Sequence, residues 1–161
     1  ILRDGGAQDI AALQQLNYTV GSGGYTNSTT PSIWPSKGVI TSPYGSRIDP
    51  VTGASSAFHE GIDIADDYGT SIVATAAGTV TIAGYTDGGY GNLVEIDHGN
   101  GFVTRYGHNS AVLVTPGMSV KQGQVIALMG STGKSTGAHV HYEVRINGTA
   151  VDPMVFLPIS N

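Results

Sequence analysis

From Ile33 onward, the chain alternates short runs of β-branched and aromatic residues with turns rich in glycine. The clearest case is segment 91–108, GNLVEIDHGNGFVTRYGH, in which a run ending at Ile96 and a second run starting at Phe102 flank the turn GNG. Two such runs around a glycine turn predict a β-hairpin. Further strands are predicted in segments 38–45, 71–85 (two strands that break near Ala77-Gly78), 110–130 (two strands around turns at 116–117 and 122–123) and, last in the series, 139–148.

The composition favours the same fold class. Glycine occurs 24 times and charged residues make up only 12% of the chain. No helix of useful length is predicted beyond residue 33, so we expect an all-β domain of antiparallel strands. Segments 78–84 (GTVTIAG) and 120–130 (VKQGQVIALMG) are similar to the strand–turn units of biotinyl and lipoyl carrier modules, which are flattened sandwiches. The carrier function itself is disfavoured, because neither Lys121 nor Lys134 has the hydrophobic turn setting of a carrier lysine.

The first 32 residues differ from the rest. In segment 7–17 (AQDIAALQQLN), apolar residues recur every three positions from Ile10 to Leu16, which predicts a short helix outside the β domain. The residues that follow, up to Ser32, are rich in Gly, Ser, Thr and Asn and are typical of a linker. We therefore divide the chain into an N-terminal helix and linker at 1–32 and a compact domain at 33–161.

Charge and cysteine content exclude several classes of function. The net charge of −5 argues against nucleic-acid binding, because no basic patch is available to neutralise phosphates. No apolar run approaches the ~20 residues that span a bilayer. The chain has no cysteine, so any zinc site must use histidine and carboxylate ligands. Because the sequence starts at Ile1 without a methionine or a signal peptide, we expect an excised or processed piece of a longer chain. A monomer is compatible with these features.

Two of the five histidines, His139 and His141, lie two residues apart in the strand-like run HVHYEV. Side chains alternate across a strand, so both imidazoles are expected on one face, with Val140 and Tyr142 on the other. Adjacent imidazoles fill a core poorly, but they are well suited to flank a metal ion or a reacting group.

His59 and Asp63 lie four residues apart in FHEGIDIA. On a straight strand the ~3.3 Å rise would separate them by roughly 13 Å, so sharing one ion requires a bend, which Gly61 allows. With one histidine of the 139/141 pair they form a set of two imidazoles and one carboxylate, which leaves a coordination position open as in catalytic zinc sites. The other histidine of that pair and His108 would then be placed to handle protons or a developing oxyanion.

The remaining polar residues are interpreted more conservatively. His98 lies at a hairpin turn and is predicted to be a solvated turn residue. Arg47 and Arg105 are candidates for gripping a substrate carboxylate. Four acidic residues near the histidines are predicted to be solvated surface groups in preference to partners of the metal ligands: Glu60, Asp66, Asp67 and Glu143.

The blocks FHEGIDIA, GNLVEIDHGNGFVTRYGH and GSTGKSTGAHVHYEV together resemble the three signature blocks of the lysostaphin/LytM-type zinc metallopeptidases, the M23 peptidase family. The resemblance runs from about Trp34 to Pro153. It implies a two-layer antiparallel β-sheet fold, similar to a barrel-sandwich hybrid, with a groove over a Zn²⁺ ion. It also implies that His59, Asp63 and His141 are the metal ligands.

The same resemblance implies catalytic roles for His108 and His139. Asn109 stands where the family's block normally has leucine, a departure that leaves the catalytic positions intact. The implied activity is zinc-dependent hydrolysis of peptide bonds in peptidoglycan stem peptides or cross-links. Such an enzyme would act outside the cytoplasm, in the periplasm or at the cell surface, with peptidoglycan peptides as its partners.

Alternatives from other classes stay open. A non-catalytic LytM-like module that activates a partner murein amidase is disfavoured, because all three ligand positions are retained. A carrier-like structural module would leave the histidines without a role. Finally, we hypothesise that segment 1–32 folds over the groove and restrains activity.

Overall fold

The computed structural model describes residues 25–46 and 58–159. The helix predicted at 7–17, the first part of the predicted linker and Arg47 lie outside these residues. The described residues contain no helix that is long and apolar enough to cross a bilayer. They form eleven strands and one 3₁₀ helix: β1 (Val39–Ser42), β2 (Ile62–Ala65), β3 (Ser71–Val73), β4 (Gly78–Thr86), β5 (Gly91–Asp97), β6 (Phe102–Asn109), β7 (Ala111–Val112), β8 (Ser119–Val120), β9 (Val125–Leu128), β10 (His139–Ile146), β11 (Thr149–Val151) and the 3₁₀ helix Pro153–Val155.

The strands form two sheets. The larger sheet has eight strands in the order β1-β2-β10-β6-β5-β4-β8, with β11 paired to β10 outside this path. The smaller sheet consists of β3, β9 and β7. All pairs among these described strands are antiparallel. This architecture confirms the all-β, antiparallel prediction.

β10 shows how one strand separates the core from the candidate site. Val140 and Tyr142 are fully buried and belong to the hydrophobic core. His139 and His141 lie on the opposite face and line a groove, as the alternation of side chains predicts. The core also includes residues from both sheets, among them Ile62, Ile64, Ile72, Val94, Ile96, Tyr106 and Ile126.

A chain of buried hydrogen bonds crosses this core. Its donor–acceptor distances lie between 2.7 and 3.0 Å, and it links in order Tyr142, Thr75, Tyr106, Thr104 and His98. At its end, His98 Nδ1 donates to the carbonyl of Ala77 at 2.8 Å, so Nε2 accepts from the Thr104 hydroxyl at 2.9 Å. His98 is only 4% exposed. The prediction of a solvated turn residue is therefore wrong, because the ring folds inward to reach Ala77 at the start of β4.

The strand predictions fail at three places. β2 lies in none of the predicted strand segments. Segment 110–130 contains three strands instead of two, because β7 and β8 are pairs of residues too short to stand out in the sequence. Segment 139–148 is not the last strand, since β11 follows the turn at Asn147-Gly148. Both turn residues adopt positive φ angles, 50° and 87°, as an Asn-Gly hairpin turn requires.

Residues 25–32, which we call the N-terminal strap, lie against the end of the larger sheet that carries the β5–β6 turn. Thr26 and Gln122 exchange backbone hydrogen bonds of 3.1 and 2.9 Å. The buried Gln122 amide donates to the carbonyl of Thr30 and the hydroxyl of Ser32, at 3.2 and 3.1 Å. Asn100, in the β5–β6 turn, donates to the Thr29 hydroxyl at 3.1 Å. The boundary between residues 32 and 33 stays a prediction.

Candidate metal centre and groove

The candidate metal centre lies where β2 and β10 run side by side. Asp63 and His141 are direct cross-strand partners, so their side chains share one face of the sheet. His59 precedes β2 and reaches the same place because the chain bends at Gly61. A Cβ at Gly61 would lie 2.2 Å from the carbonyl oxygen of Tyr142, so only glycine allows the bend to pack against β10.

Three ligand atoms converge at this point. Asp63 Oδ1 lies 3.3 Å from His59 Nε2 and 2.9 Å from His141 Nδ1, and one ligand atom from each residue lies within 4.8 Å of the other two. Tetrahedral ligands at ~2.0–2.1 Å from a zinc ion are separated from one another by about 3.3 Å. The measured distances and the set of two nitrogens and one carboxylate oxygen therefore fit Zn²⁺.

The second ring nitrogen of each candidate histidine ligand is committed to an acceptor. His59 Nδ1 donates to the carbonyl of Pro43 at 2.8 Å. His141 Nε2 donates to Glu143 Oε2 at 2.8 Å. Such a bond fixes the orientation of the ring and leaves the lone pair of the opposite nitrogen for a metal. The protein therefore selects the tautomers that ligation requires.

Glu143 is 1% exposed, so the prediction of a solvated surface group is wrong. Besides His141, its carboxylate accepts hydrogen bonds from Tyr90 Oη at 2.7 Å and from Arg145 Nε at 2.8 Å. Burial alone would raise the pKa of Glu143, but the hydrogen bonds from these partners outweigh it and lower the pKa to about 2. The sequence held a signal for this contact, because residue 143 follows His141 by two positions and shares its face of the strand.

The carboxylates on both sides of His141 favour the protonated form of its ring. Burial lowers the pKa of this imidazole, but hydrogen bonds with Asp63 and Glu143 outweigh burial and raise the pKa to about 9. Burial likewise raises the pKa of Asp63, yet its bonds with His141 and His59 bring that pKa well below the usual range. A cation that binds here would take the place of the proton on Nδ1, since a ligand nitrogen must be deprotonated.

His139 and His108 lie beside this centre. His139 Nε2 is 3.8 Å from Asp63 Oδ1, and its Nδ1 donates to the carbonyl of Gly137 at 2.9 Å. The rings of His108 and His139 have centroids 4.6 Å apart. His108 Nδ1 donates to the carbonyl of Thr132 at 2.7 Å. Each of these two rings keeps an Nε2 that has no hydrogen-bond partner among residues 25–46 and 58–159.

The backbone of His108 adopts a conformation that is rare outside glycine, with a φ of 67°. Gly107 is the cross-strand partner of His141, and in a regular strand the next side chain would point to the opposite face. The left-handed conformation instead brings the His108 ring toward His139. Its backbone is held by the bond from His108 N–H to the carbonyl of Tyr90 at 2.7 Å. Burial lowers the pKa of His108 more than its bond to Thr132 raises it, so the ring is neutral at physiological pH.

These histidines line a groove of about 760 Å³. One wall contains Phe58 and Glu60, and the other is built from two loops, which we call the first wall loop (residues 87–91) and the second wall loop (residues 131–137). The two loops are tied together, since Lys134 N–H donates to the carbonyl of Gly89 at 3.0 Å. The contact between these two loops was not predicted from the sequence, because it joins segments about forty residues apart.

The structure does not bring Arg105 into the groove. Its guanidinium pairs with Glu95 at 2.6 Å and lies 5.5 Å from the ring centroid of Tyr90, so the prediction that it grips a substrate is wrong. Arg47 lies outside the described residues. Among the acidic residues, Glu60 pairs with Arg145 at 2.9 Å and stays exposed. Asp67 is exposed as predicted, whereas Asp66 is partly buried and accepts a hydrogen bond from Thr70.

Comparison with known proteins agrees with this geometry. Residues 57–153 match the description Peptidase family M23. The chain belongs to peptidase family M23. Within the family, it is 48% identical over 120 residues to the DD-carboxypeptidase/endopeptidase Mpg of Neisseria meningitidis serogroup B, covering 74% of this chain and 27% of the relative. It is 42% identical over 125 residues to the murein hydrolase activator NlpD of Escherichia coli, covering 78% of this chain and 31% of the relative. The chain thus spans about a quarter to a third of these relatives.

Solved structures of peptidases share the fold. A zinc-containing peptidase from Vibrio cholerae superimposes with a TM-score of 0.69 at 36% identity, over 81% of this chain and 40% of that one. The catalytic domain of lysostaphin from Staphylococcus simulans gives a TM-score of 0.66 at 33% identity, over 73% of this chain and 90% of that domain. The two-layer β architecture expected from the resemblance is therefore confirmed.

Proposed function

We propose that this M23 domain is a zinc-dependent endopeptidase that hydrolyses peptide bonds in peptidoglycan stem peptides or cross-links. One observation carries the proposal. Three imidazoles, those of His59, His139 and His141, lie within 3.8 Å of Asp63 Oδ1, and the ring of His108 lies 4.6 Å from that of His139. Each of the four rings has one nitrogen engaged by a carbonyl or carboxylate acceptor. A surface cluster without a function would have no reason to fix four tautomers in one groove.

In this proposal His59 Nε2, Asp63 Oδ1 and His141 Nδ1 hold the ion. Zinc, when bound, supplies a Lewis acid that polarises a carbonyl and makes water acidic enough to react at neutral pH. His108 Nε2 accepts the proton of the attacking water, because burial keeps this ring neutral. His139, next to Asp63, would stabilise the oxygen on which negative charge develops in its doubly protonated form, with Nδ1–H on Gly137 and Nε2–H donating to that oxygen.

The substrate class rests on the relatives. The names of the Neisseria and lysostaphin relatives describe peptidases, and the Neisseria name joins carboxypeptidase and endopeptidase activities. We therefore include the bond before a terminal D-amino acid among the candidate bonds. Peptidoglycan lies outside the cytoplasm, so the proposed activity belongs to the periplasm or cell surface.

The test compares digestion of purified peptidoglycan by the wild type, His141→Ala and His108→Ala, with zinc measured on the same samples. We expect new amino termini and one zinc per chain in the wild type. His141→Ala should lose both, whereas His108→Ala should keep zinc and lose about 10²- to 10⁴-fold in rate, as expected for removal of a general base. Zinc without new termini in the wild type would contradict the endopeptidase proposal.

A second candidate follows from the 42% identity with a protein named murein hydrolase activator. In that case the groove would bind a partner enzyme and the chain would not hydrolyse peptide bonds itself. Adding the chain to a murein amidase distinguishes the two functions. Activation that survives in His108→Ala, together with no new peptide termini in the wild type, would favour the activator.

A further inference from the structure

We propose that Lys134 forms a carboxylate-binding subsite in the groove. It would select substrates in which the carbon bearing the scissile amide nitrogen also bears a free carboxylate. The inference rests on the proposed peptidase function and specifies which bonds that function would cleave.

The first observation concerns charge. Lys134 is the only lysine or arginine among the described residues that line the groove. The groove's acidic side chains are already paired: Glu60 and Glu143 with Arg145, at 2.9 and 2.8 Å, and Asp63 with the histidines. No carboxylate of the described residues lies within ion-pairing distance of Lys134. In a chain of net charge −5, an unpaired cation in the groove is positioned to attract an anion from the substrate.

The second observation concerns the backbone contacts that hold Lys134 in place. Lys134 lies in the second wall loop, and its N–H donates to the carbonyl of Gly89 at 3.0 Å. A Cβ built on Gly89 would lie 3.6 Å from the Lys134 Cβ, so the base of the side chain faces the first wall loop. Two residues earlier, Thr132 receives the hydrogen bond from His108. The backbone that carries the cation is therefore the backbone that orients a proposed catalytic ring.

Lys134 and the histidine cluster line one groove, so a peptide that passes the cluster along this groove can also reach Lys134. We assign the bound anion to the residue that supplies the scissile nitrogen. A terminal D-amino acid and the D-centre of a diamino acid cross-link both carry a carboxylate on the carbon attached to the scissile nitrogen. An internal glycine bridge carries none there. The ammonium group offers up to three N–H donors to such a carboxylate.

The experiment uses the full chain loaded with zinc and two matched pairs of synthetic substrates. One pair is an acyl-D-Ala–D-Ala peptide with a free carboxylate and the same peptide as a carboxamide. The other pair is a D-Ala–diamino acid cross-linked dimer with the adjacent carboxylate free or amidated. These pairs separate a terminal residue from a cross-link as the source of the carboxylate. Because Lys134 is exposed, we expect the wild type to prefer the free carboxylate in at least one pair by about 2- to 5-fold in kcat/KM, as for an ion pair at an exposed site.

Lys134→Gln should abolish this preference, chiefly through KM, and Lys134→Arg should retain most of it. Lys121→Gln is the matched control, because it removes an exposed lysine that does not line this groove. Loss of the preference in that control would reduce the effect to overall charge and overturn the subsite. Retention of the preference in Lys134→Gln, or no preference in the wild type, would overturn the subsite and leave the peptidase function standing. If the zinc-loaded wild type cleaves none of these peptides and no peptidoglycan, the proposed function fails and the subsite falls with it.

Discussion

At the scale of single residues, the structure separates polar groups that look alike in the sequence. His98 and His141 both occur in strand-and-turn contexts. His98 belongs to a hydrogen-bond chain in the core, whereas His141 lies at the candidate metal centre. Glu143 and Glu60 both stand near the histidines, but only Glu143 is buried. Alternation along β10 was sufficient to predict that His139 and His141 share a face. The inward turn of His98 could not be predicted, because it depends on contact with Ala77, which lies just before β4 and about twenty residues away in the chain.

His98 should make the protein less stable in acid. Burial lowers the pKa of this ring below its ordinary value of 6.5, so the unfolded chain binds more protons in the window between the lowered pKa and 6.5. The free energy of unfolding therefore falls as the pH drops through that window. Protonation would also oppose the bond that Nε2 accepts from Thr104. We expect His98→Gln to cost about 1–3 kcal/mol near neutral pH, and this cost should shrink on acidification. Urea unfolding of both proteins from about pH 8 to 5 measures it; a cost that stays constant with pH would contradict the assignment.

Glu143 should control metal affinity through His141. Glu143→Gln weakens the acceptor for His141 Nε2–H, and loss of such an outer partner typically lowers metal affinity about 10- to 100-fold. Glu95→Gln is the matched control, because Glu95 pairs with Arg105 on the same sheet and touches no candidate ligand. Competition with a chelator of known affinity gives the zinc dissociation constants. Equal zinc affinities in Glu143→Gln and Glu95→Gln would show that the hydrogen bond between Glu143 and His141 does not contribute to metal binding.

At the scale of elements, the hairpins were predictable and their junctions were not. The turn at 99–101 and the break at Ala77-Gly78 follow from local residue preferences, and the structure bears both out. β7 and β8 contain two residues each, too few for any periodic pattern. The joining of the two wall loops is also invisible in the sequence, although glycines at 89, 91 and 133 mark the positions where the backbones meet.

Gly91 should be sensitive to substitution because it lies at that junction. A Cβ at this position would lie 2.5 Å from the carbonyl carbon of Thr132, and its φ is 68°. Gly99 is the matched control, because its φ is 83° and a Cβ there would meet nothing within 4 Å. Both alanine substitutions strain the backbone by about 1 kcal/mol, but only Gly91→Ala must also separate the wall loops. We expect Gly91→Ala to cost at least about 2 kcal/mol more than Gly99→Ala, as measured by thermal or urea unfolding. Equal costs would mean that the loops are not held by this contact.

At the scale of the whole molecule, the N-terminal strap and the groove lie at different ends of the larger sheet. The strap contacts Asn100 in the β5–β6 turn, whereas His108 lies near the far end of β6. At ~3.3 Å per residue, these two positions are separated by roughly 25 Å along the strand. Residues 25–32 were predicted to belong to a linker, because their Ser, Thr and Asn residues give no periodic pattern of apolar side chains. Their hydrogen bonds are made to the distant Gln122, which no local pattern reveals.

Removal of the strap should therefore lower the stability of the domain and leave its rate of peptide cleavage unchanged. A variant that starts at Tyr25 keeps the contacts of the strap with Gln122 and Asn100, whereas one that starts at Ile33 removes three partners of the buried Gln122 side chain, on Thr26, Thr30 and Ser32. The Gln122 side chain then keeps only its bond to the carbonyl of Thr75 at 3.0 Å. Loss of partners by a buried polar group costs about 1–3 kcal/mol, so only the shorter variant should unfold at a lower urea concentration. Below its unfolding transition, each variant should cleave the same peptide at the rate of the full chain, because the strap lies away from the groove. A rate that rises in both shortened variants would instead support restraint of the groove by residues 1–24, and a rise confined to the variant starting at Ile33 would assign that restraint to the strap.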